Sequence, residues 1–452
     1  MSFGADCLIQ KINDRIAALE GCSYNAAQLS GALNSIETYH CVPDVSSLPS
    51  AACNEGRFIY VEDIKSFRYS DGYYWTKDAC SVLGDPSSAS TLWTWGRNAN
   101  GQLGDGTTVD RCSPGTILGG GTTWCDSSGA SQLRLAIKTD GTIWTWGAGF
   151  SGALGNGTTV DRCSPGTIAG GGTTWCTIGL SNPFTVMAIK TDGTLWTWGY
   201  SGQGALGNGT IVNRCSPGTV AGGGTNWSKL ADVFGSYNGA GLSIAIKTDG
   251  TLWTWGNNTQ GRLGDGTTVS RCSPGTIAGG GTTWCAAAAS SISVTAIKTD
   301  GTLWTWGCNC RGKLGDGTTV DRCSPGTVAG GGTTWSIVRA DSMAIKTDGT
   351  LWTWGYNSVG QLGNGTTVDR CSPGTVAGGG TTWCDVSYLS SAIAAIKTDG
   401  TLWTWGQNQF GRHGNGTIVN RCSPGTVSGG GTIWCRVTGG DGHVNAITTR
   451  GF

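Results

Sequence analysis

Few residues in this chain are arranged to make or break bonds. The 3 histidines, His40, His413 and His443, are scattered, and no Ser/His/Asp order recurs or converges around them. A nucleophile–base–orienter relay therefore has no parts. All four glutamates, Glu20, Glu37, Glu55 and Glu62, lie before residue 63, so a paired-carboxylate site further on would depend on aspartate alone. Asp105 and Asp110, in "LGDGTTVD", offer the hard oxygens that calcium takes. The same motif recurs downstream with Asn156, Asn208, Asn364 and Asn415 at the first position and Asn213, Ser270 and Asn420 at the second. A metal site loses affinity with each lost charge, whereas a side chain that bonds its own turn tolerates such exchanges. Turns are the expectation. "GGGTTW" lacks the Lys-Ser/Thr of a phosphate loop.

Cysteine is the remaining reactive type, with 19 copies. "RCSP" supplies Cys112, Cys163, Cys215, Cys272, Cys323, Cys371 and Cys422. "WC" supplies Cys125, Cys176, Cys285, Cys384 and Cys435, but Ser228 and Ser336 stand in twice. Obligatory pairs within a repeat would strand Cys215 and Cys323. Small buried thiols and late-formed disulfides both remain open. Cys308 and Cys310, in "WGCNCRG", lack zinc-site spacing. The expectation is no catalytic residue, no metal, no cofactor and no enzyme.

The elements that carry these residues repeat. "WTWG" begins at Trp93, Trp144, Trp196, Trp253, Trp304, Trp352 and Trp403, and 21 of the 22 tryptophans belong to the pattern. Glycine, at 79 of 452 residues without a Gly-X-Y period, points to many tight turns and excludes collagen. "AIKT" and "TLWTW" flank Asp-Gly, the signature of a two-residue hairpin. That register sets Ile189 opposite Trp196 and Met187 opposite Trp198, with Lys190, Leu195, Ala188 and Thr197 on the other face. The first copy opens at Thr91 without a preceding "AIKTDG", and the chain ends in "NAITTRGF", whose residues match the missing piece. The two ends are expected to pair and remove free sheet edges. The predicted fold is all-β: a seven-bladed β-propeller over 91–452, closed by its C-terminal and N-terminal strands and preceded by short helices and a small β-module.

The string "LWTWG.N..GQLGDGTTVDR.SPGTV" resembles the repeat of the regulator of chromosome condensation family, over residues 91–452. The resemblance implies a seven-bladed propeller. It does not imply one job, because members differ: one exchanges nucleotide on a small GTPase, a plant homologue senses ultraviolet light, and a bacterial one inhibits a β-lactamase. The longest spacing between repeats, 57 residues, leaves no room for the inserted wedge of the exchange factor. Residues 91–452 carry 23 Lys+Arg against 18 Asp+Glu, too thin a surplus for a nucleic-acid binder.

Two stretches differ between copies, one after "WTWG" and one before "AIKTDG". Antiparallel pairing puts both on one face, opposite the Asp-Gly turns. They hold Phe150, Phe184, Tyr200, Phe234, Tyr237, Tyr356, Tyr388 and Phe410, aromatics among Asn, Ser and Gly, as in recognition loops. A binding face is one reading; unconstrained drift is the other.

Residues 1–90 differ in character, with 6 Lys+Arg against 11 Asp+Glu. Ile9, Ile12, Ile16 and Leu19 form a short a/d seam, so residues 1–42 read as a helical attachment or oligomerisation segment, with a monomeric helical hairpin the alternative. Residues 43–82 read as a small β-module and 83–90 as a linker. The stretch Val45–Asp78 is similar to a β-module of phage tail-fibre and other virion appendage proteins. That resemblance implies a structural appendage on the exposed virion surface, assembled in the host cytoplasm. Its propeller would bind a host receptor (protein or glycan) or a neighbouring virion protein. A homo-oligomer is expected, with a trimer by fibre analogy, and no nucleic acid or membrane insertion. The alternative is a soluble propeller that binds a protein as inhibitor or regulator. No signal peptide or apolar span is visible.

Overall fold

In the computed structural model the described residues are 41–42, 58–61, 66–69, 91–119, 121, 123–130, 132–233, 241–290, 292–339, 342–389, 391–428, 434–440 and 443–448. The chain divides into two compact units, 1–88 and 89–452. In the first unit, Cys41–Val42 pairs in parallel with Phe58–Val61, which pairs antiparallel with Ser66–Tyr69. Cys41–Val42 falls inside the segment expected to be helical. Pro43 follows it, and a residue before proline is steered to extended backbone. The seam Ile9, Ile12, Ile16 and Leu19, and the linker 83–90, lie outside the described residues.

The second unit is an all-β propeller. Each blade is an antiparallel sheet whose strands follow chain order, as in Trp175–Asn182, Thr185–Lys190, Leu195–Gly199 and Arg214–Thr219. Among the described residues this unit has seven sheets, six of them with blade strands in this order. One is composite: Trp434–Gly440 and His443–Thr448 join Thr91–Gly96 and Arg111–Thr116, with Thr448 opposite Thr91 and His443 opposite Gly96. Asp232–Val233 leaves its own blade and pairs in parallel with Ala288–Ala289 of the next.

The hairpin register departs from expectation by one residue. Ile189 faces Leu195, Ala188 faces Trp196, and Val186 faces Trp198. The loop is three residues long, Thr191-Asp192-Gly193, because Lys190 N bonds Thr194 O and Gly193 takes a left-handed φ of 77°. Asp192 decides this. Its Oδ1 accepts from both the amide (2.9 Å) and the hydroxyl (2.6 Å) of Thr194, an Asx turn that the dipeptide rule does not include. Those bonds hold the Asp192 carboxyl below the usual carboxylate range. A one-residue shift moves each side chain to the other face. Trp196 therefore shares a face with Lys190, and the ammonium lies 4.3 Å from its ring and 4.8 Å from that of Trp175. Lys138, Lys247, Lys298, Lys346 and Lys397 do the same in their blades.

The second tryptophan of "WTWG" joins blades. Trp198 is fully buried and its Nε1 donates to Ala153 O of the preceding blade at 3.0 Å. Trp146, Trp255, Trp306, Trp354 and Trp405 repeat this bond. Trp95, in the composite sheet, donates to Arg412 O at 3.3 Å, which links the first copy to the last.

The cysteines find a structural use. Each first strand bulges after its tryptophan, as between Trp175 and Thr177. The residue at the bulge reaches a carbonyl across the pair: Cys176 and Cys384 by Sγ, Ser228 and Ser336 by Oγ. Cysteine and serine exchange because both donate. Cys285 at this position is disulfide-bonded. The "RCSP" cysteines are half-buried or exposed rather than buried, and each abuts a loop glycine of the preceding blade.

Candidate functional site

The two variable stretches meet on one rim. Tyr200 N, after "WTWG", donates to Phe184 O, before "AIKTDG", at 2.8 Å. The loop after each "WTWG" is held by a recurring bond from its backbone to a side-chain oxygen twelve residues on. In the first copy Asn98 N donates to Asp110 Oδ1 (2.7 Å), and Asn98 Nδ2 reaches Asp105, Thr107 O and Val109 O. The downstream replacements keep the first bond: Ser201 N to Asn213 Oδ1, Asn258 N to Ser270 Oγ, Asn408 N to Asn420 Oδ1. An acceptor oxygen is what the position requires, not a charge. Burial raises the Asp105 carboxyl, but the Thr107 hydroxyl and amide and the Arg111 guanidinium outweigh it and hold it low. Arg111 bonds Asp105 at 2.8 Å. These oxygens are spent on the loop. Among the described residues no cluster of three or more His, Cys, Asp or Glu could hold a metal ion. Burial pushes the Cys308 thiol up to about 12.

Upon this frame the expected aromatics take distinct positions. Phe150 is 57% exposed and packs at 5.0 Å on Phe184 of the next blade. Tyr200 is half-buried, its ring against Gly202. The ring of Tyr356 lies 4.3 Å under the Arg311 guanidinium of the preceding blade, and Arg311 also pairs with Asp369 at 3.4 Å. Phe410 meets Arg97 of the following blade at 5.5 Å. Tyr388 is half-buried against a core containing Val386 and Ile393. Phe234 and Tyr237 lie outside the described residues. The structure thus stacks Phe150 on Phe184 across one blade seam, ties Tyr200 to Phe184 through the backbone, and sets Tyr356 and Phe410 on other seams.

Sequence reading missed a second feature of this rim. Val109, Val160, Val212, Val269, Val320, Val368 and Val419, one per copy of "GT.V", are 68–72% exposed. The bond from Asn98 Nδ2 to Val109 O, 3.1 Å, places them beside the variable loops. The available signal was an aliphatic residue that recurs in every copy between polar neighbours.

The family model for the regulator of chromosome condensation (RCC1) repeat matches residues 90–130, 140–187, 192–239, 249–297, 300–341, 348–390 and 399–447. The Ultraviolet-B receptor UVR8 of Arabidopsis thaliana is 30% identical over 237 residues, 51% of this chain and 52% of that protein. The E3 ubiquitin-protein ligase HERC2 of Homo sapiens is 28% identical over 247 residues, 52% of this chain and 5% of that protein. The chain spans about half the length of the receptor and far less of the ligase. Among solved structures, Prp20p of Saccharomyces cerevisiae, described with its binding to Gsp1p and histones, superposes with a TM-score of 0.67 at 16% identity, over 81% of this chain and 93% of that one. Human WBSCR16 gives 0.67 at 17% identity, over 80% and 100%. At such identities the structural likeness shows the fold alone.

These relatives correct the functional expectation. Among the matching proteins are an ultraviolet-B receptor, an E3 ubiquitin-protein ligase and a protein described with its binding to Gsp1p and histones, and none of these three is a virion component. The virion appendage, the host-receptor and virion partners, and the virion location are therefore set aside. The short likeness of Val45–Asp78 to phage modules has no counterpart in the family match, which begins at residue 90.

Proposed function

Because the chain belongs to the regulator of chromosome condensation (RCC1) repeat family, we propose that it is a non-enzymatic regulator that binds another protein through the variable rim of its propeller. One observation carries this reading: a half-exposed aromatic patch, Phe150, Phe184 and Tyr200, shares its rim with recurring exposed valines. Exposed apolar side chains grouped on one face cost solubility and recur where a partner covers them. We read the composite sheet as the seal of a seven-membered ring, which would hold the loops at fixed spacing and so limit the entropy lost on binding. The named partners of the relatives, Gsp1p and histones among them, give the class of ligand: a folded protein or a protein segment.

Photo-crosslinking in the native cell tests the proposal. A photoreactive residue placed at Phe150 or Tyr200 is expected to capture the same partner, and one placed at Thr191 on the opposite edge is not. The paired substitution Phe150→Ala and Tyr200→Ala should reduce partner recovery at least tenfold with an unchanged melting curve. Equal capture from both edges, or recovery that the substitutions leave unchanged, would refute it.

A further inference from the structure

In six blades a lysine ammonium sits between two indoles, 4.1–4.5 Å from one ring and 4.8–4.9 Å from the other. The lysine is always the cross-strand partner of the buried tryptophan, as Lys190 is of Trp175. The composite sheet departs from this. The partner of Trp434 there is Thr448, too short and uncharged to supply an ammonium. Yet the aromatic pair is built. Trp93 and Trp434 meet edge-on at 6.5 Å and 74°, against 5.9–6.2 Å and 73–81° in the other six blades. Trp93 is partly exposed. The composite sheet also lacks the Thr-Asp-Gly hairpin, because its second and third strands come from opposite ends of the repeat region.

We propose that Trp93 and Trp434 form a recognition site for a primary alkylammonium, the lysine side chain of a partner protein. The six internal lysines show which group this pair of ring faces accepts. The quadrupole of an indole attracts a cation over its face, and a second indole adds to that field and covers the aliphatic stem. The site lies at the strand ends where the other blades carry their Asp-Gly turns, away from the variable rim, so it stands independently of the function proposed above.

The probe is Nα-acetyl-lysine N-methylamide, titrated into full-length chain labelled with 15N-tryptophan. The Trp93 and Trp434 indole signals are assigned by Trp→Phe substitution. Saturable shifts confined to these two indoles are expected, with the uncharged norleucine analogue at least fivefold weaker. Thr448→Lys, which rebuilds the internal contact, should weaken binding at least tenfold while leaving the circular dichroism spectrum unchanged. Equal binding of norleucine, or unchanged binding to Thr448→Lys, would overturn the proposal. So would the absence of saturable shifts. Arg450 follows two residues after Thr448 in the sequence. If shifts emerge only in Arg450→Ala, the chain fills the site itself and the inference fails.

Discussion

His413 occupies the position that other copies of the loop give to leucine, such as Leu103, Leu154 and Leu206. It is fully buried, with Nε2 3.1 Å from Gly406 O and no partner at Nδ1. Burial first, then the positive charge of Arg421, pushes its pKa from 6.5 down to about 4. The folded protein therefore favours the neutral ring. Above the unfolded pKa the group imposes no charging cost, and stability is lost as pH falls from about 6.5 toward about 4. The loss reaches on the order of 3 kcal/mol at most. His413→Leu is expected to remove that slope, so urea unfolding at pH 7 and pH 5 should give closer midpoints for the variant than for wild type. An unchanged slope would place the titration elsewhere. The departure of histidine from the repeat is readable in the sequence. Its burial and the missing Nδ1 partner are not, since both depend on how the folded loop closes around the ring.

At the level of the element, paired tryptophans divide the work. Trp196 donates to Thr194 within its own hairpin, whereas Trp198 is buried and bonds the preceding blade. Trp198→Phe leaves Ala153 O short of a donor and opens a void, at a cost of about 2–4 kcal/mol. Trp196→Phe, at a half-exposed position, is expected to cost about 1 kcal/mol. Glycines divide in the same way. A Cβ on Gly152 would lie 2.4 Å from Cys215 Cα, whereas one on Gly157 meets nothing within 4 Å. Both have left-handed φ, 80° and 84°. Gly157→Ala is expected to cost about 1 kcal/mol of backbone strain, and Gly152→Ala clearly more because blades must part. Thermal melts of the four variants check both pairs. The existence and order of the strands were legible from "AIKTDGTLWTWG", because local pattern determines them. The register was not, because a single side chain, Asp192, lengthened the loop.

For the molecule as a whole, the composite sheet makes the chain's two distant segments mutually dependent. Removal of residues 441–452 would take away His443–Thr448, the strand between Trp434–Gly440 and Thr91–Gly96, and leave two unpaired edges. The apparent melting temperature is expected to fall by on the order of 10 °C, with concentration-dependent aggregation. A truncated chain that melts like wild type would show that this sheet adds little. The sequence alone determined the β class, the repeat and the roles of its glycines and turn aspartates, since each follows from spacings of a few residues. Tertiary structure decided which blade each Trp198-like indole bonds, why cysteine and serine exchange at the bulge, and which aromatics remain exposed. Phe150 and Phe410 look alike in the sequence, and both meet a neighbouring blade; only the structure leaves Phe150 exposed and Phe410 half-buried beside Arg97. Contacts between residues far apart in the chain arise from how the blades stack, and no local spacing encodes that.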